Sequence, residues 1–143
     1  MDKPEKILWN YSIRYPHNVK QITTTKIKCI LYVIDTYCKD IYIEYHLVNI
    51  LRNYANEKLT ESELTTELAE YRYDYYLYRV RESGYEAHPL LDKYDLIMES
   101  IFCACDVINY NIYDFFSNLY NAIEEMPHYY TKQLRNIVDC TLA

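Results

Sequence analysis

The fold of this chain is decided by residues 94–108, which read Tyr94-Asp-Leu-Ile-Met-Glu-Ser-Ile-Phe-Cys-Ala-Cys-Asp-Val-Ile108. On a helix that turns about 100° per residue, the acids of this stretch, Asp95, Glu99 and Asp106, fall within about 40° of one another. Nearly all of the remaining circumference is apolar or small, which is typical of a helix in the middle of a protein. The acids and a length of about 22 Å argue against a membrane span. The pattern therefore predicts a buried central helix over about 93–109.

Apolar residues at spacings of three and four predict further helices before this one. One stripe begins at Thr25, with Thr24 or Thr25 as its N-cap, and continues as one bent helix or as two in sequence. The sequence Thr60-Glu-Ser-Glu63 is a capping box that opens the next helix. Residues 7–15 fit either a strand or a short helix, and the helical surroundings favour the helix.

The second half of the chain completes the predicted bundle. Gly84 is placed to end the helix that Thr60 opens, and Asp92 is placed to cap the central helix. An amphipathic helix follows, which Pro127 is expected to stop, and a last helix comes after it. The expected core residues are Ile97, Ile101, Cys105 and Ile108 from the central helix, and Phe116, Leu119 and Ile123 from the next one. With no repeat or linker, residues 1–143 are expected to form a single all-α domain, a bundle of six to seven helices.

The net charge of −6 is concentrated in the middle of the chain. Residues 57–106 contain twelve acids and five basic groups, whereas residues 1–28 contain six basic groups and two acids. So acidic a chain is a poor partner for nucleic-acid phosphates or anionic membranes. Neither a nucleic acid nor a membrane is therefore expected as a partner.

The cysteines indicate a reducing compartment. Their number, five, is odd, and their spacing forms no disulfide framework. No secretory signal is recognisable near Met1. We therefore expect free thiols and a cytoplasmic protein.

Tyrosine is the most unusual feature of the composition, with nineteen copies against one glycine. Each buried phenol needs a hydrogen-bond partner, so many of these side chains are expected at recognition surfaces. On the helix after Thr60, four apolar residues lie opposite the inner stripe and beside an acidic edge: Tyr73, Tyr76, Leu77 and Val80. Two interpretations stay open, a helix that is buried on two sides and a face that binds a partner.

No residue pattern favours catalysis or metal binding. Cys103 and Cys105 are two apart on a helix and point about 160° away from each other, so they cannot hold one ion. Glu125 and His128 imitate a Glu-x-x-His pair, but the intervening proline breaks the helical spacing. With one glycine the chain has no phosphate loop, dinucleotide fingerprint or nucleophile elbow. We therefore expect a non-enzymatic protein with no metal and no cofactor.

The central stretch carries a short motif, which consists of Tyr94-Asp95, then Cys103-Ala104-Cys105 and Val107. This motif resembles the poxviral Bcl-2-like proteins of the vaccinia immune-evasion group. Residues 116–125 and 130–142 resemble their two closing helices in length and spacing, and Ile7-Leu8-Trp9-Asn10 is similar to the opening helix of some members. The resemblance implies a Bcl-2-like bundle around a buried hairpin, no catalysis, and action by binding host proteins.

Two functions divide that family, the capture of pro-apoptotic helices in a groove and the inhibition of innate signalling towards NF-κB or interferon induction. Groove binders of the cellular type have an Arg at the start of the central helix that pairs with an Asp of the ligand. The corresponding stretch here, Leu96-Ile97-Met98-Glu99, has an acid, which would repel that Asp. No apolar anchor is expected after Leu142-Ala143.

The resemblance therefore implies a viral protein of the host cytoplasm that binds host signalling proteins. An anti-apoptotic protein and a structural or regulatory virion protein are the alternatives, and a homodimer stays open.

Overall fold

The computed structural model describes residues 2–83, 91–106, 111–123 and 127–143. Within these ranges the chain forms seven α-helices and no β-strand, which confirms the prediction of an all-α bundle of six to seven helices. The helices are α1 (Pro4–Arg14), α2 (Val19–Tyr37), α3 (Tyr45–Ala55), α4 (Glu61–Ser83), α5 (Lys93–Cys105), α6 (Ile112–Ala122) and α7 (Pro127–Leu142). Buried side chains from all of them join one hydrophobic cluster.

Helix α5 is buried along its length, because no residue from Lys93 to Cys105 is exposed. Its N-terminus is capped by Asp92, as predicted: the Asp95 amide donates to Asp92 Oδ1 at 2.8 Å, and the Asp92 amide donates to Asp95 Oδ2 at 3.4 Å. The helix ends four positions before the expected 109, since Asp106 has extended backbone angles (φ −75°, ψ 129°).

The predicted core residues that the structure describes are buried. Ile97, Ile101, Phe116 and Leu119 are 0% exposed, and Cys105 and Ile123 are each 7% exposed. Ile108 lies outside the described residues. Helices α5 and α6 carry five of these side chains, Ile123 follows directly after α6, and the two helices form the most extensive helix pair of the fold.

Helix α2 shares the centre with α5, because it packs against α3, α5, α6 and α7. It begins at Val19, so the prediction of an N-cap at Thr24 or Thr25 is wrong. The Thr25 hydroxyl instead donates to the Gln21 carbonyl at 2.7 Å, one turn earlier in the same helix. A buried threonine can satisfy its hydroxyl in this way without ending a helix.

Two lysines link α2 to α5, one at each end of the helix pair. Lys26 Nζ, in the first half of α2, donates to the carbonyls of Cys103 and Asp106 at the end of α5, both at 3.1 Å. Lys93 Nζ, at the start of α5, donates to the Tyr37 carbonyl at the end of α2 at 2.6 Å. The helices are therefore antiparallel, and each supplies the cation that satisfies the last carbonyls of the other.

The remaining helix boundaries refine the sequence predictions. Residues 7–15 lie largely in α1, so the helical interpretation is correct, and Pro4 occupies its first turn. The stripe that begins in α2 forms two helices, separated by residues 38–44. Helix α6 ends at Ala122, well before Pro127, because Ile123 has an extended backbone while its side chain stays in the core. Gly84 lies outside the described residues.

All five cysteines are free thiols. Among the described helices, none combines the length and the apolar character that crossing a bilayer requires.

Candidate functional site

Helix α4 presents different chemistry on opposite sides. Its inner side packs into the core through Leu64, Leu68 and Tyr75, which are at most 7% exposed. On the outer side, Tyr73 and Tyr76 are 62% and 63% exposed. The alternative of a helix buried on two sides is therefore wrong, because these phenol rings face away from the core.

The outer face of α4 is defined here as Tyr73, Tyr76, Leu77 and Val80. The two aliphatic members, Leu77 and Val80, are half-buried. Consecutive turns of one helix bring all four side chains to the same side, as their spacing predicted.

The N-terminus of α4 is held by the capping box that the sequence predicted. The Glu63 amide donates to Thr60 Oγ1 at 3.1 Å, and the Thr60 amide donates to Glu63 Oε1 at 3.1 Å. Tyr54 Oη, from the end of α3, donates to Glu61 Oε1 at 3.2 Å. The outer face is thus carried by a helix whose first turn is fixed.

Two arginines attach α4 to the acidic seam of α5. Arg79 Nη1 lies 2.9 Å from Asp95 Oδ2, and these side chains are only 15% and 5% exposed. Arg72 Nη2 lies 2.7 Å from Asp106 Oδ1 nearer the surface. Tyr75 Oη also donates to Asp95 Oδ1, at 3.2 Å. Burial raises the pKa of Asp95, and the charge of Arg79 opposes this rise.

Sequence reasoning found the acidic seam but missed these partners. Arg72 and Arg79 are seven residues apart, which places them on one edge of α4, and this spacing was the available signal. Two of the three acids of the predicted seam, Asp95 and Asp106, are therefore paired with arginines of α4.

A groove of about 320 Å³ runs between α4 and α5 beside the outer face. Its lining includes Arg72, Tyr76, Arg79, Glu99, Phe102 and Cys103. Tyr76 belongs to both surfaces, and the Arg72 guanidinium carbon lies 5.2 Å from the centre of the Phe102 ring. The outer face thus continues into a cleft with aromatic walls and charges of both signs.

No protein-family model, curated protein or solved structure matches this chain. The candidate site therefore rests on the geometry of α4 and its neighbours.

The residues that could bind a metal ion are dispersed within the described part of the chain. In the part of the chain that the structure describes, no three His, Cys, Asp or Glu side chains are grouped closely enough to hold a metal ion. Burial raises the pKa of Cys103 to about 11 and that of Cys105 to about 12, so both thiols are protonated at neutral pH. A protonated thiol is a weak nucleophile and a weak metal ligand.

A larger cavity, of about 650 Å³, lies at the ends of α2, α5 and α6. Its lining stops at Leu91 and Ile123, next to residues 84–90 and 124–126, which lie outside the described ranges. The outer face of α4 lies within described residues, so it is the better-defined candidate.

Proposed function

We propose that this chain is a non-enzymatic protein that binds another protein through the outer face of α4. The observation that carries the proposal is the exposure of Tyr73 and Tyr76, at 62% and 63%, beside a formed groove. Tyrosine and arginine are enriched among the residues that dominate binding energy at interfaces. Both types meet here, with half-buried aliphatic residues between them and charged residues at the edges.

Pre-organisation of the helix also supports binding. Helix α4 is capped at its start and attached to α5 through Arg72 and Arg79. A partner would therefore meet side chains whose backbone is already ordered, which lowers the entropic cost of association.

We further propose that the partner is a host signalling protein and that binding inhibits innate signalling towards NF-κB or interferon induction. The support is the resemblance of Tyr94-Asp95 and Cys103-Ala104-Cys105 to the poxviral Bcl-2-like motif, together with the all-α fold. The host cytoplasm is the compartment that this function requires.

The test replaces Tyr73 and Tyr76 together by Ala and compares the variant with Tyr42→Ala/Tyr45→Ala. The control tyrosines are 78% and 77% exposed but lie outside α4, so each variant removes two exposed phenol rings. Circular dichroism should show unchanged helicity for both. Affinity capture from cytokine-stimulated human cells, with an NF-κB reporter and an interferon-promoter reporter, measures binding and inhibition.

We expect the α4 variant to lose partner capture and reporter inhibition while the control retains both. Equal behaviour of the two variants would show that the outer face is not the binding surface. Binding of several pro-apoptotic helix peptides at about 1 µM or tighter would instead favour the anti-apoptotic alternative.

A further inference from the structure

A second, smaller pocket lies on the other side of α4, where it meets α3 and α5. Its volume is about 190 Å³, below the range of about 300–1,000 Å³ that is typical of pockets for drug-sized ligands. The lining consists of Glu44, Leu47, Tyr71, Asp74, Tyr75, Tyr78, Tyr94 and Met98. A pocket of this size suits a small head group or the end of one side chain.

The pocket has three zones. Leu47, Tyr75 and Met98 are at most 7% exposed and belong to the core, so they form the floor. The rings of Tyr71, Tyr78 and Tyr94 are more accessible and form the walls. Glu44 and Asp74 are exposed and lie at the rim, and none of the lining residues is basic.

The ring of Tyr94 stands at a steep angle to the rings of Tyr75 and Tyr78, whereas those two rings are closer to parallel. The ring centres of Tyr78 and Tyr94 are 5.9 Å apart with planes at 85°. Those of Tyr75 and Tyr94 are 6.4 Å apart at 62°, and those of Tyr75 and Tyr78 are 6.1 Å apart at 31°. The rings contact one another at these distances, and any ring face that borders the pocket carries partial negative charge, which attracts a cation.

The surrounding charge adds to this attraction. Burial raises the pKa of Tyr71 and of Tyr94, and the charge of Glu44 contributes to both rises. The Tyr71 pKa is also raised by Glu70 and Glu67 on the same edge of α4. Tyr71 and Tyr94 therefore remain neutral phenols at physiological pH, within a negative field.

Hydrogen bonding within the pocket selects the kind of cation. Tyr71 Oη donates to Glu44 Oε1 at 3.1 Å, and Tyr75 Oη donates to Asp95 Oδ1 at 3.2 Å. These bonds already occupy one rim carboxylate and two of the hydroxyls, which leaves fewer acceptors for an incoming guanidinium. A guanidinium needs several well-placed acceptors, whereas a methylated ammonium needs mainly ring faces and nearby negative charge.

The geometry points to a binding site for a methylated ammonium ion in the pocket of Tyr71, Tyr75, Tyr78 and Tyr94, with Glu44 and Asp74 at its rim. The ion is either the trimethylammonium group of a methylated lysine in a peptide or that of free choline. This site is separate from the outer face of α4, so it can bind whether or not that face takes a protein.

The test titrates the full-length protein with four probes, by calorimetry and by the NMR signal of the methyl protons where the probe has them. The probes are choline chloride and three versions of one short Gly/Ser-rich peptide, which carry trimethyl-lysine, unmodified Lys or Arg. We expect trimethyl-lysine peptide or choline to bind with a Kd below about 1 mM, and the Arg peptide to bind about tenfold more weakly. Peptide binding without choline binding identifies a protein ligand, and equal binding identifies the free ion.

The matched variants are Glu44→Gln/Asp74→Asn and Glu57→Gln/Asp139→Asn. Each removes two exposed negative charges without changing side-chain shape, but only the first pair lines the pocket. We expect about tenfold weaker binding for the first variant and little change for the second. Tyr78→Leu removes one wall ring, and its affinity for the methylated probes tests the site independently if the first variant fails to fold.

Four results would overturn the proposal. They are the absence of binding by both methylated probes, tighter binding of the Arg peptide, equal effects of the two charge variants, and unchanged binding by Tyr78→Leu. None of them bears on Tyr73 and Tyr76, so this site and the proposed function fail independently.

Discussion

Replacement of Arg79 by Met tests how strongly α4 is attached to the centre of the fold. The change removes the partner 2.9 Å from Asp95 Oδ2 and leaves a carboxylate that is 5% exposed. Removing one member of a buried ion pair costs about 3–5 kcal/mol, because the remaining charge is uncompensated. The Asp95 carboxylate keeps its hydrogen bonds from Tyr75 Oη and the Asp92 amide, so we expect the lower end, about 3 kcal/mol.

For a chain of 143 residues this loss lowers Tm by about 10 °C, which differential scanning calorimetry measures directly. The matched control is Arg81→Met, since Arg81 is exposed on the same helix. We expect the control to change the free energy of unfolding by about 0.5 kcal/mol or less.

The pH dependence of the Arg79→Met variant gives a second test. Without the guanidinium, the folded-state pKa of Asp95 rises further above its unfolded value. The native state then binds more protons than the unfolded state at mildly acidic pH, so lowering the pH from about 7 to about 5 should reduce the deficit against wild type. Equal Tm values for the Arg79 and Arg81 variants, or a deficit that grows on acidification, would refute this account of the pair.

The remaining predictions concern the two central helices. Burial lowers the pKa of Lys26 to about 8 from 10.5, so its charge costs stability below pH 8 and this cost is relieved between pH 8 and 10.5. Lys26→Met leaves buried acceptors unpaired and should destabilise by about 2–4 kcal/mol at alkaline pH and by less at neutral pH. Urea unfolding across this pH range measures the loss, with Lys28→Met at an exposed lysine as the control. A difference in unfolding free energy between wild type and Lys26→Met that does not change with pH would contradict the prediction. Cys105→Leu should destabilise by about 1–3 kcal/mol through overpacking, whereas Leu at the exposed Cys140 should be nearly neutral in the same assay.

Local sequence signals predicted the elements of this fold well. Thr60 with Glu63 and Asp92 with Asp95 form capping boxes, and each depends on residues three positions apart. The burial of α5 and the placement of Tyr73 opposite the inner stripe of α4 follow from helical periodicity over a few turns.

The ends of the helices were harder to predict, because competing local signals have similar weight. Thr25 has the chemistry of an N-cap, yet its hydroxyl also bonds the carbonyl one turn earlier, and the helix continues through it. Helix α5 ends just before Asp106. Arg72 of α4 binds the Asp106 carboxylate, and Lys26 of α2 binds the Asp106 carbonyl. Neither partner can be identified by inspecting the residues next to Asp106.

The two candidate sites also differ in how much of each could be predicted from local sequence. Periodicity identified the four side chains of the outer face of α4, and coordinates were needed to show that Tyr73 and Tyr76 are exposed. The pocket where α4 meets α3 and α5 combines Glu44 with Tyr71 and Tyr94, which three different segments supply. No local pattern brings these residues together.

The sequence by itself determined the all-α character, the burial of the central helix and which side chains share the outer side of α4, because helical periodicity and capping act over a few residues. Only the tertiary structure decided the partners of the charged groups. Lys26 meets the carbonyl of Asp106 across 80 positions of the chain, and Arg79 meets Asp95 across 16. Such pairs depend on how whole helices pack, and a buried charge is stable only where that packing supplies its partner.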